Sequence, residues 1–442
     1  MSRTQAPADP VELQQRLLIA ADLDLAVADA RLADRFPGAP ATRQPVHTLY
    51  LPAERVHAGV VALVGEAALE AFDEHLPGPD ALREVFDQAV PGPADARVIH
   101  TLVRAKLERE PVEDLRIDFE DGFTQRGVPA GMRDRDEDDH VDRVVSELST
   151  APLPPFWGLR FGSLEPATRR RGIRTLTRFV TGLAAGGGSL PPGLRPTLPK
   201  VTSVDQVRAM VRLCRELETA CGLDERTLRF EIQIETPQSI CAPDGSALVA
   251  RLVHAADGRC IGLHYGTYDY SAACGIAAEY QAMDHPVADH AKAVMQVAAA
   301  GTGVTLSDGS TNRLPVGDRE DVRAAWRLHG RLVDRSLRRG YYQGWDLHPA
   351  QLVSRYVATY AFYRRSLPTA CARIAAYLGT TPSGGTVATG YLDEPATARA
   401  LADFCVRALD CGAATDREVH ELAGVSRPEL EALRRPRPGT AL

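Results

Sequence analysis

The feature of this sequence that most restricts its fold is a series of short apolar runs separated by stretches with helical periodicity. The eight runs cover residues 47–52, 115–120, 156–160, 196–200, 230–235, 261–264, 303–306 and 340–345. Strands that alternate with helices indicate βαβ units and a parallel sheet. Because the runs number eight, we predict an α/β fold whose sheet closes into a (β/α)8 TIM barrel.

Helical segments flank the barrel, which we predict for residues 46–368. An N-terminal helical segment (1–45) contains an amphipathic helix over residues 10–35, because its apolar side chains recur at helical spacing. The stripe consists of Leu13, Leu17, Leu18, Ala21 and Leu25. Residues 369–442 are predicted to form a C-terminal helical extension that contacts a neighbouring subunit.

The composition restricts the partners and the compartment. Of the 442 residues, 44% are hydrophobic and 25% charged, and the net charge of -7 leaves no basic face for nucleic acid. No apolar run approaches the ~18 residues of a membrane span, and no signal peptide is visible. The eight cysteines form no CxxC pair, which favours free thiols in a reducing compartment. We therefore expect a cytoplasmic protein that binds neither nucleic acid nor membrane.

Polar residues end most of the predicted strands. The active site of such barrels lies at the carboxyl ends of the strands. A single acidic residue there is often a helix N-cap or part of a surface ion pair. Several on one rim indicate a functional site. The polar strand ends are Asp118, Glu120, Asp121, Arg160, Lys200, Glu235, Asp269 and the segment 346–349.

The types of these residues suggest a chemistry. Glu235 and Asp269 suit Mg²⁺, or Mn²⁺, because such ions take one or two protein carboxylates and leave other positions to water and substrate. Arg160 offers a planar fork for a substrate carboxylate. Gly266, Thr267 and Tyr268 would bring backbone amides to a second carboxylate oxygen. A metal chelated by a 2-oxo acid stabilises an enolate, which leaves aldol cleavage, Claisen-type condensation and phosphoryl transfer open.

Two histidines each have two interpretations. His348 is a candidate substrate-binding acid or base, and an equally good candidate for a packing and capping residue. His264 presents the same choice. Trp345, Tyr265 and Tyr268 are predicted to wall the pocket. The sequence contains neither a Gly-x-Ser-x-Gly elbow nor an HExxH motif, so hydrolases of those types are not supported.

Five short motifs in a fixed order carry a resemblance to a known superfamily. They lie at residues 49–53 (Leu-Tyr-Leu-Pro-Ala), 118–121 (Asp-Phe-Glu-Asp), 234–237 (Ile-Glu-Thr-Pro), 266–269 (Gly-Thr-Tyr-Asp) and 344–349 (Gly-Trp-Asp-Leu-His-Pro). In these motifs the chain resembles citrate lyase β-subunits, HpcH/HpaI-type aldolases and malate synthases. The citrate lyase-like branch is the most similar.

The resemblance implies roles for individual residues. Arg160 would bind the substrate carboxylate, and Glu120 and Asp121 would act around the waters of the metal. Some members supply a catalytic Asp from an Asp-x-Pro motif to a neighbouring subunit, and Asp393 fits that motif here. This role implies a homo-oligomer such as a trimer or hexamer. The alternative is that Asp393 caps the following helix.

The predicted function is therefore a magnesium-dependent carbon–carbon lyase that acts on a 2-oxo acid or related small carboxylate through a metal-stabilised enolate. One alternative is a malate synthase-like enzyme that condenses acyl-CoA or cleaves a coenzyme A thioester. Another is a barrel subunit that is non-catalytic or depends on a partner chain.

Overall fold

Eight parallel strands form the centre of the structure, a computed structural model that describes residues 9–40, 42–90, 92–186, 189–379 and 393–434. The strands are β1 (Thr48–Pro52), β2 (Asp114–Asp118), β3 (Phe156–Arg160), β4 (Thr197–Leu198), β5 (Phe230–Ile234), β6 (Cys260–Tyr265), β7 (Thr305–Ser307) and β8 (Trp345–Asp346). Each strand overlaps one of the eight predicted runs.

The strands are arranged as a barrel. Their order is β7-β6-β5-β4-β3-β2-β1-β8, with every neighbouring pair parallel. A parallel bridge between Ser307 and Gln343 joins the two ends of this order. The Asp308 amide strengthens the junction by donating to the Gln343 carbonyl at 2.8 Å. The predicted (β/α)8 TIM barrel is confirmed.

Helices surround the barrel and extend from it. Within the described residues they are α1 (Pro10–Arg35), α2 (Val60–His75), α3 (Pro79–Val85), α4 (Pro93–Arg109), α5 (Arg133–Leu148), α6 (Arg169–Ala184), α7 (Val204–Cys221), α8 (Pro237–Ile240), α9 (Leu248–Ala255), α10 (Thr267–Ala273), α11 (Pro286–Ala299), α12 (Arg319–Arg338), α13 (Pro349–Leu378), α14 (Pro395–Cys411), α15 (Asp416–Ala423) and α16 (Arg427–Arg434). Short 3₁₀ turns occur at Ala53–Arg55, Ala130–Met132 and Ala278–Tyr280.

Helix α13 connects the barrel to the C-terminal helices. Most of its first half is buried, and it packs against α2, α4 and α12 on one side and against α14 and α15 on the other. The Tyr360 hydroxyl donates to the Cys411 carbonyl at 2.8 Å, which fixes the end of α14 to it. The predicted domain boundary at residue 368 lies inside this helix.

Helix α1 has the predicted position but buries none of its residues. Its apolar stripe faces solvent in this single chain: Leu17 is 61% exposed and Leu25 is 53% exposed. The chain therefore gains no core from the stripe that predicted the helix.

Two expectations from composition can be compared with the structure. All eight cysteines, each of them within the described ranges, are free thiols. Of the helices in the described part of the chain, none combines the length and apolar character that a bilayer crossing requires.

The interior of the barrel contains a buried ionic network. Arg116 on β2 pairs with Asp114 at 3.0 Å and with Glu231 of β5 at 2.9 Å. His264 of β6 lies 3.0 Å from Glu231 through Nε2, and its Nδ1 accepts the indole N–H of Trp345 at 3.0 Å. Burial opposes ionisation of Glu231, but Arg116 and His264 outweigh it and lower its pKa below the usual value. His264 therefore lies in the buried network of the barrel interior.

Candidate active site

Arg160 ends β3 and is held in place by the end of β2. Its Nε donates to Asp118 Oδ1 at 2.8 Å, and its NH2 donates to Asp118 Oδ2. Asp118 also accepts the backbone amides of Glu120 and Gly122 at 2.9 and 2.8 Å. The guanidinium lies over the ring of Tyr50 at 5.2 Å. Asp118 thus occupies one edge of the Arg160 guanidinium, the group predicted to bind the substrate carboxylate. The other edge faces the site.

The free edge of Arg160 faces two more acids. Its NH1 lies 3.2 Å from Glu120 and 3.7 Å from Asp121. Burial raises the pKa of Glu120 to about 7, and Asp121 adds to the rise against the opposing charges of Arg160 and Lys200. Burial opposes ionisation of Asp121 as well, but Arg160 and Lys200 hold its pKa below the usual value. Two adjacent carboxyl groups therefore differ in their affinity for a proton.

Lys200 lies between the acids. It follows β4 with φ of +49°, a backbone conformation that is rare for residues other than glycine and that turns the chain at the rim. Its Nζ donates to Glu120, to Asp121 at 2.9 Å, and lies 3.3 Å from Asp269. The sequence identified Lys200 as a polar strand end but gave it no role. The structure makes it the residue that contacts the most acids of the rim.

Glu235 follows β5 and is 2% exposed. Its Oε1 accepts the backbone amide of Lys200 at 2.8 Å. Burial raises its pKa to about 8; Asp269 and Glu120 contribute to the rise, while Arg160 and Lys200 act against it. Burial of this carboxyl group thus outweighs the positive charges of Arg160 and Lys200.

Gly266, which follows β6, gives Glu235 its room. A Cβ at this position would lie 2.4 Å from Glu235 Cβ and 2.6 Å from Glu235 Oε2, both too close for a real contact. Its amide donates to the Ile234 carbonyl at 3.0 Å as part of the sheet and is not available to a substrate. Gly266 therefore contributes space rather than the predicted hydrogen bond.

The turn after Gly266 continues into α10. Asp269 is the third residue of this helix, and its side chain is 44% exposed. The Thr267 hydroxyl donates to the Ser310 carbonyl at 3.2 Å, and the Tyr268 hydroxyl accepts the Asn312 amide. These two side chains fix the turn to the loop that follows β7. Their predicted part in substrate binding stays a prediction.

Two other predicted residues precede helices α13 and α14, outside this acidic group. His348 is the N-cap of α13, and its Nδ1 accepts the Ala350 amide at 3.2 Å, which is the capping alternative considered for it. Asp393 is buried and pairs with Arg373 of α13, with 3.0 Å between Nε and Oδ2. The N-cap of α14 is Glu394, so the structure does not give Asp393 the capping role. Its catalytic role in a neighbouring subunit stays a prediction.

A divalent cation is compatible with these residues. Glu235 and Asp269 supply two carboxylates from neighbouring strand ends, a set typical of Mg²⁺ and Mn²⁺. Burial is the main cause of the raised pKa of Glu235, and a bound cation would favour the ionised carboxylate. In the described part of the chain, no three His, Cys, Asp or Glu side chains form a complete metal-binding group. Water and substrate would therefore have to complete the coordination.

Fold and site together define a TIM-barrel protein with an acidic site at the carboxyl ends of its strands. The family model for a domain of unknown function (DUF6986) matches residues 25–438, and the chain belongs to this family.

Known proteins support the fold inferred from the motifs. A citrate lyase from Burkholderia xenovorans LB400 superposes with a TM-score of 0.58 at 18% identity, over 86% of this chain and 97% of that one. A malate synthase from Haloferax volcanii gives a TM-score of 0.46 at 14% identity, over 84% of this chain and 86% of that one. The resemblance to citrate lyase-like proteins is confirmed, and at these identities it concerns the fold.

One curated relative is similar in sequence. The L-malyl-CoA/β-methylmalyl-CoA lyase of Haloarcula marismortui is 29% identical over 149 residues. The match spans 34% of this chain and 40% of the relative. The chain thus matches less than half the length of that lyase.

Proposed function

We propose that the chain is a divalent-metal-dependent carbon–carbon lyase that acts on a small carboxylate through an enolate. The observation that carries the proposal is the group of Glu120, Asp121, Glu235 and Asp269 around Lys200 and Arg160 at one end of the barrel. The similarity to a citrate lyase fold and to a malyl-CoA lyase supports this class of reaction.

In this proposal Glu235 and Asp269 hold Mg²⁺ or Mn²⁺. A bound ion of this kind would act as a Lewis acid on a substrate carbonyl and stabilise the neighbouring enolate. Glu235 is positioned by the Lys200 amide and by the space that Gly266 leaves. Asp269 is positioned by the turn that Thr267 and Tyr268 fix to the next loop.

Arg160 would bind the substrate carboxylate with the edge of the guanidinium that Asp118 leaves free. Because Asp118 holds the other edge, the cation is oriented before substrate arrives, which reduces the entropy lost on binding. Glu120 is the candidate for proton transfer within the chain. Its pKa of about 7 lets it accept or donate a proton near neutral pH.

Asp393 is a second candidate for proton transfer, acting in a neighbouring subunit of a homo-oligomer. Mixed oligomers test this role. Asp393→Asn and Glu235→Gln would each be inactive alone, and mixing them would restore activity, because some sites would combine an intact Asp393 with an intact Glu235. If the oligomers exchange subunits but the mixture stays inactive, Asp393 does not act in the site of a neighbouring subunit.

The name of the Haloarcula relative favours a coenzyme A thioester as substrate over a free acid. An enzyme that requires the coenzyme A moiety would cleave the carbon–carbon bond of the ester and leave the free hydroxyacid intact. A direct comparison of free hydroxyacids with their coenzyme A esters separates them.

The test is an assay of the purified protein with Mg²⁺ or Mn²⁺ against a panel of hydroxyacids and their coenzyme A esters, with detection of released pyruvate, glyoxylate or oxaloacetate. We expect cleavage that stops in EDTA and in Glu235→Gln. Glu279→Gln, an exposed acid on a neighbouring turn, is the matched control and should retain activity. Metal-independent cleavage, or metal binding without cleavage of any substrate, would contradict the proposal; the second result would favour a partner-dependent subunit.

A further inference from the structure

The chain contains only three lysines among its 51 basic residues: Lys106, Lys200 and Lys292. Arginine provides the other positive charges. The side chains of Lys106 and Lys292 are 1% and 3% exposed, and they pair with Glu113 and Asp308. Lys200 is 21% exposed, so it is the one lysine within reach of solvent.

Lys200 contacts acids from three different places on the rim. Its ammonium bonds to Glu120 and Asp121 after β2 and approaches Asp269 in α10. Its backbone amide binds Glu235 after β5 at 2.8 Å. The side chain thus lies among acids that include Asp269, one of the two carboxylates proposed to hold the metal.

We propose that the Lys200 ammonium is a built-in counter-ion of the metal-free site and that the divalent cation displaces it on binding. The inference rests on the metal site proposed above. In the metal-free protein the ammonium limits the repulsion among the acids and keeps them together. When the ion arrives, like-charge repulsion and the loss of its Asp269 partner favour withdrawal of the ammonium.

That residue 200 is a lysine rather than an arginine supports exchange of its side chain with a metal ion over a permanent ion pair. An ammonium is a compact charge on a flexible four-carbon chain, whereas a guanidinium is a rigid fork that is held by two parallel bonds. Arg160 is fixed in that second way by Asp118. Lys200 is anchored through its backbone instead, so its side chain can move while Glu235 keeps its hydrogen bond.

Amine labelling of the wild-type protein tests the displacement directly. Reductive methylation or acetylation, read by mass spectrometry of the peptide that contains Lys200, is compared in EDTA and in saturating Mg²⁺. Because the ion frees the ammonium from its carboxylates, we expect Lys200 to react about tenfold faster with Mg²⁺. Lys106 is the internal control and should stay unreactive in both conditions.

A variant provides a second measurement. Lys200→Met should bind Mn²⁺ about tenfold more tightly by electron paramagnetic resonance or calorimetry, because the competing charge is gone. Lys200→Arg, which keeps the charge, should not. The melting temperature of metal-free Lys200→Met should fall and recover with Mg²⁺ more than that of the wild type. Lys106→Met should lower stability without changing Mn²⁺ affinity.

The outcomes separate this inference from the proposed function. If Mn²⁺ binds but Lys200 reacts no faster, the displacement is wrong and the metal site stands. If Mn²⁺ does not bind the wild-type protein, both are wrong, and Lys200 is the permanent cation of the site. If Mn²⁺ binds and labelling accelerates, both are supported, whether or not the variants fold.

Discussion

Glu231 lies within β5 and Glu235 directly follows that strand, and both are almost completely buried. Glu231, inside the barrel, is surrounded by Arg116 and His264, and its pKa is lowered. Glu235, at the rim, has acids for neighbours as well as cations, and its pKa is raised to about 8. Residue type and burial are the same. The balance of charge around each carboxyl makes the difference.

The comparison separates a structural ion pair from a candidate reactive group. In the interior, cations are close enough to compensate burial, and the carboxylate is stable without any ligand. At the rim, the cations that pair with the acids in the described part of the chain are Arg160 and Lys200; the acids are Asp118, Glu120, Asp121, Glu235 and Asp269. A cluster whose acids exceed its cations is where perturbed pKa values and bound metals are expected.

The largest expected effect comes from substituting Glu231, the glutamate inside the barrel. Glu231→Gln leaves Arg116 and His264 without their shared carboxylate, and we expect a loss of about 3–5 kcal/mol in the free energy of unfolding. Chemical denaturation measures it. Mn²⁺ affinity of the folded variant should be unchanged. A variant with wild-type stability would show that the network contributes little.

Substitution of Glu235, the glutamate at the rim, should have the opposite effects on stability and metal affinity. Glu235→Gln removes a proposed metal ligand, so Mn²⁺ affinity should fall at least about 100-fold by calorimetry. The metal-free protein should be as stable as the wild type at neutral pH or more so, because an amide needs neither a buried charge nor a proton taken up on folding. Unchanged Mn²⁺ affinity would refute the assignment of Glu235.

The pH dependence sharpens the same contrast. Glu235 has a pKa of about 8 in the folded metal-free protein against an ordinary value of 4.5, so its proton stabilises the fold at low pH and this stabilisation is lost as pH rises to about 8. In EDTA we expect the free energy of unfolding to fall by about 3 kcal/mol between about pH 5.5 and 8.5. Saturating Mg²⁺ or Glu235→Gln should flatten the profile. A decline that persists in both would assign it to other groups.

The smallest effect is expected at His348, the cap of α13. His348→Ala removes one capping hydrogen bond and should cost about 1 kcal/mol by thermal denaturation, with KM and kcat unchanged. His348→Asn, which restores a capping side chain, is the matched control. A fall in kcat in both variants would show that His348 takes part in the reaction.

Much of the fold could be predicted because strand pattern and barrel topology are local and repetitive. β4 and β8 contain only two residues each, yet the apolar runs around them were sufficient to identify both positions. Glu235 and Asp269 were predictable as rim residues because parallel strands end at one side of the barrel. The apolar stripe of α1 was a weaker guide, since periodicity predicts a helix but not what covers it.

The charge balance of the site was not predictable from the sequence. Lys200 reaches the acids because its backbone turns at φ of +49°, which no motif signals. The pairing of Glu231 with Arg116 depends on strands that lie far apart in the chain. The different neighbours of Glu231 and Glu235 likewise come from the closed barrel.

Gly266 has a consequence for variation within the family. Its missing Cβ is the space in which Glu235 lies, so every other residue at that position would push the carboxyl group aside. Natural sequences that replace this glycine should also have lost or moved the glutamate, whereas those that keep it can exchange the surrounding loops freely. The glycine would then serve as a marker for sorting active from inactive members before any of them is purified.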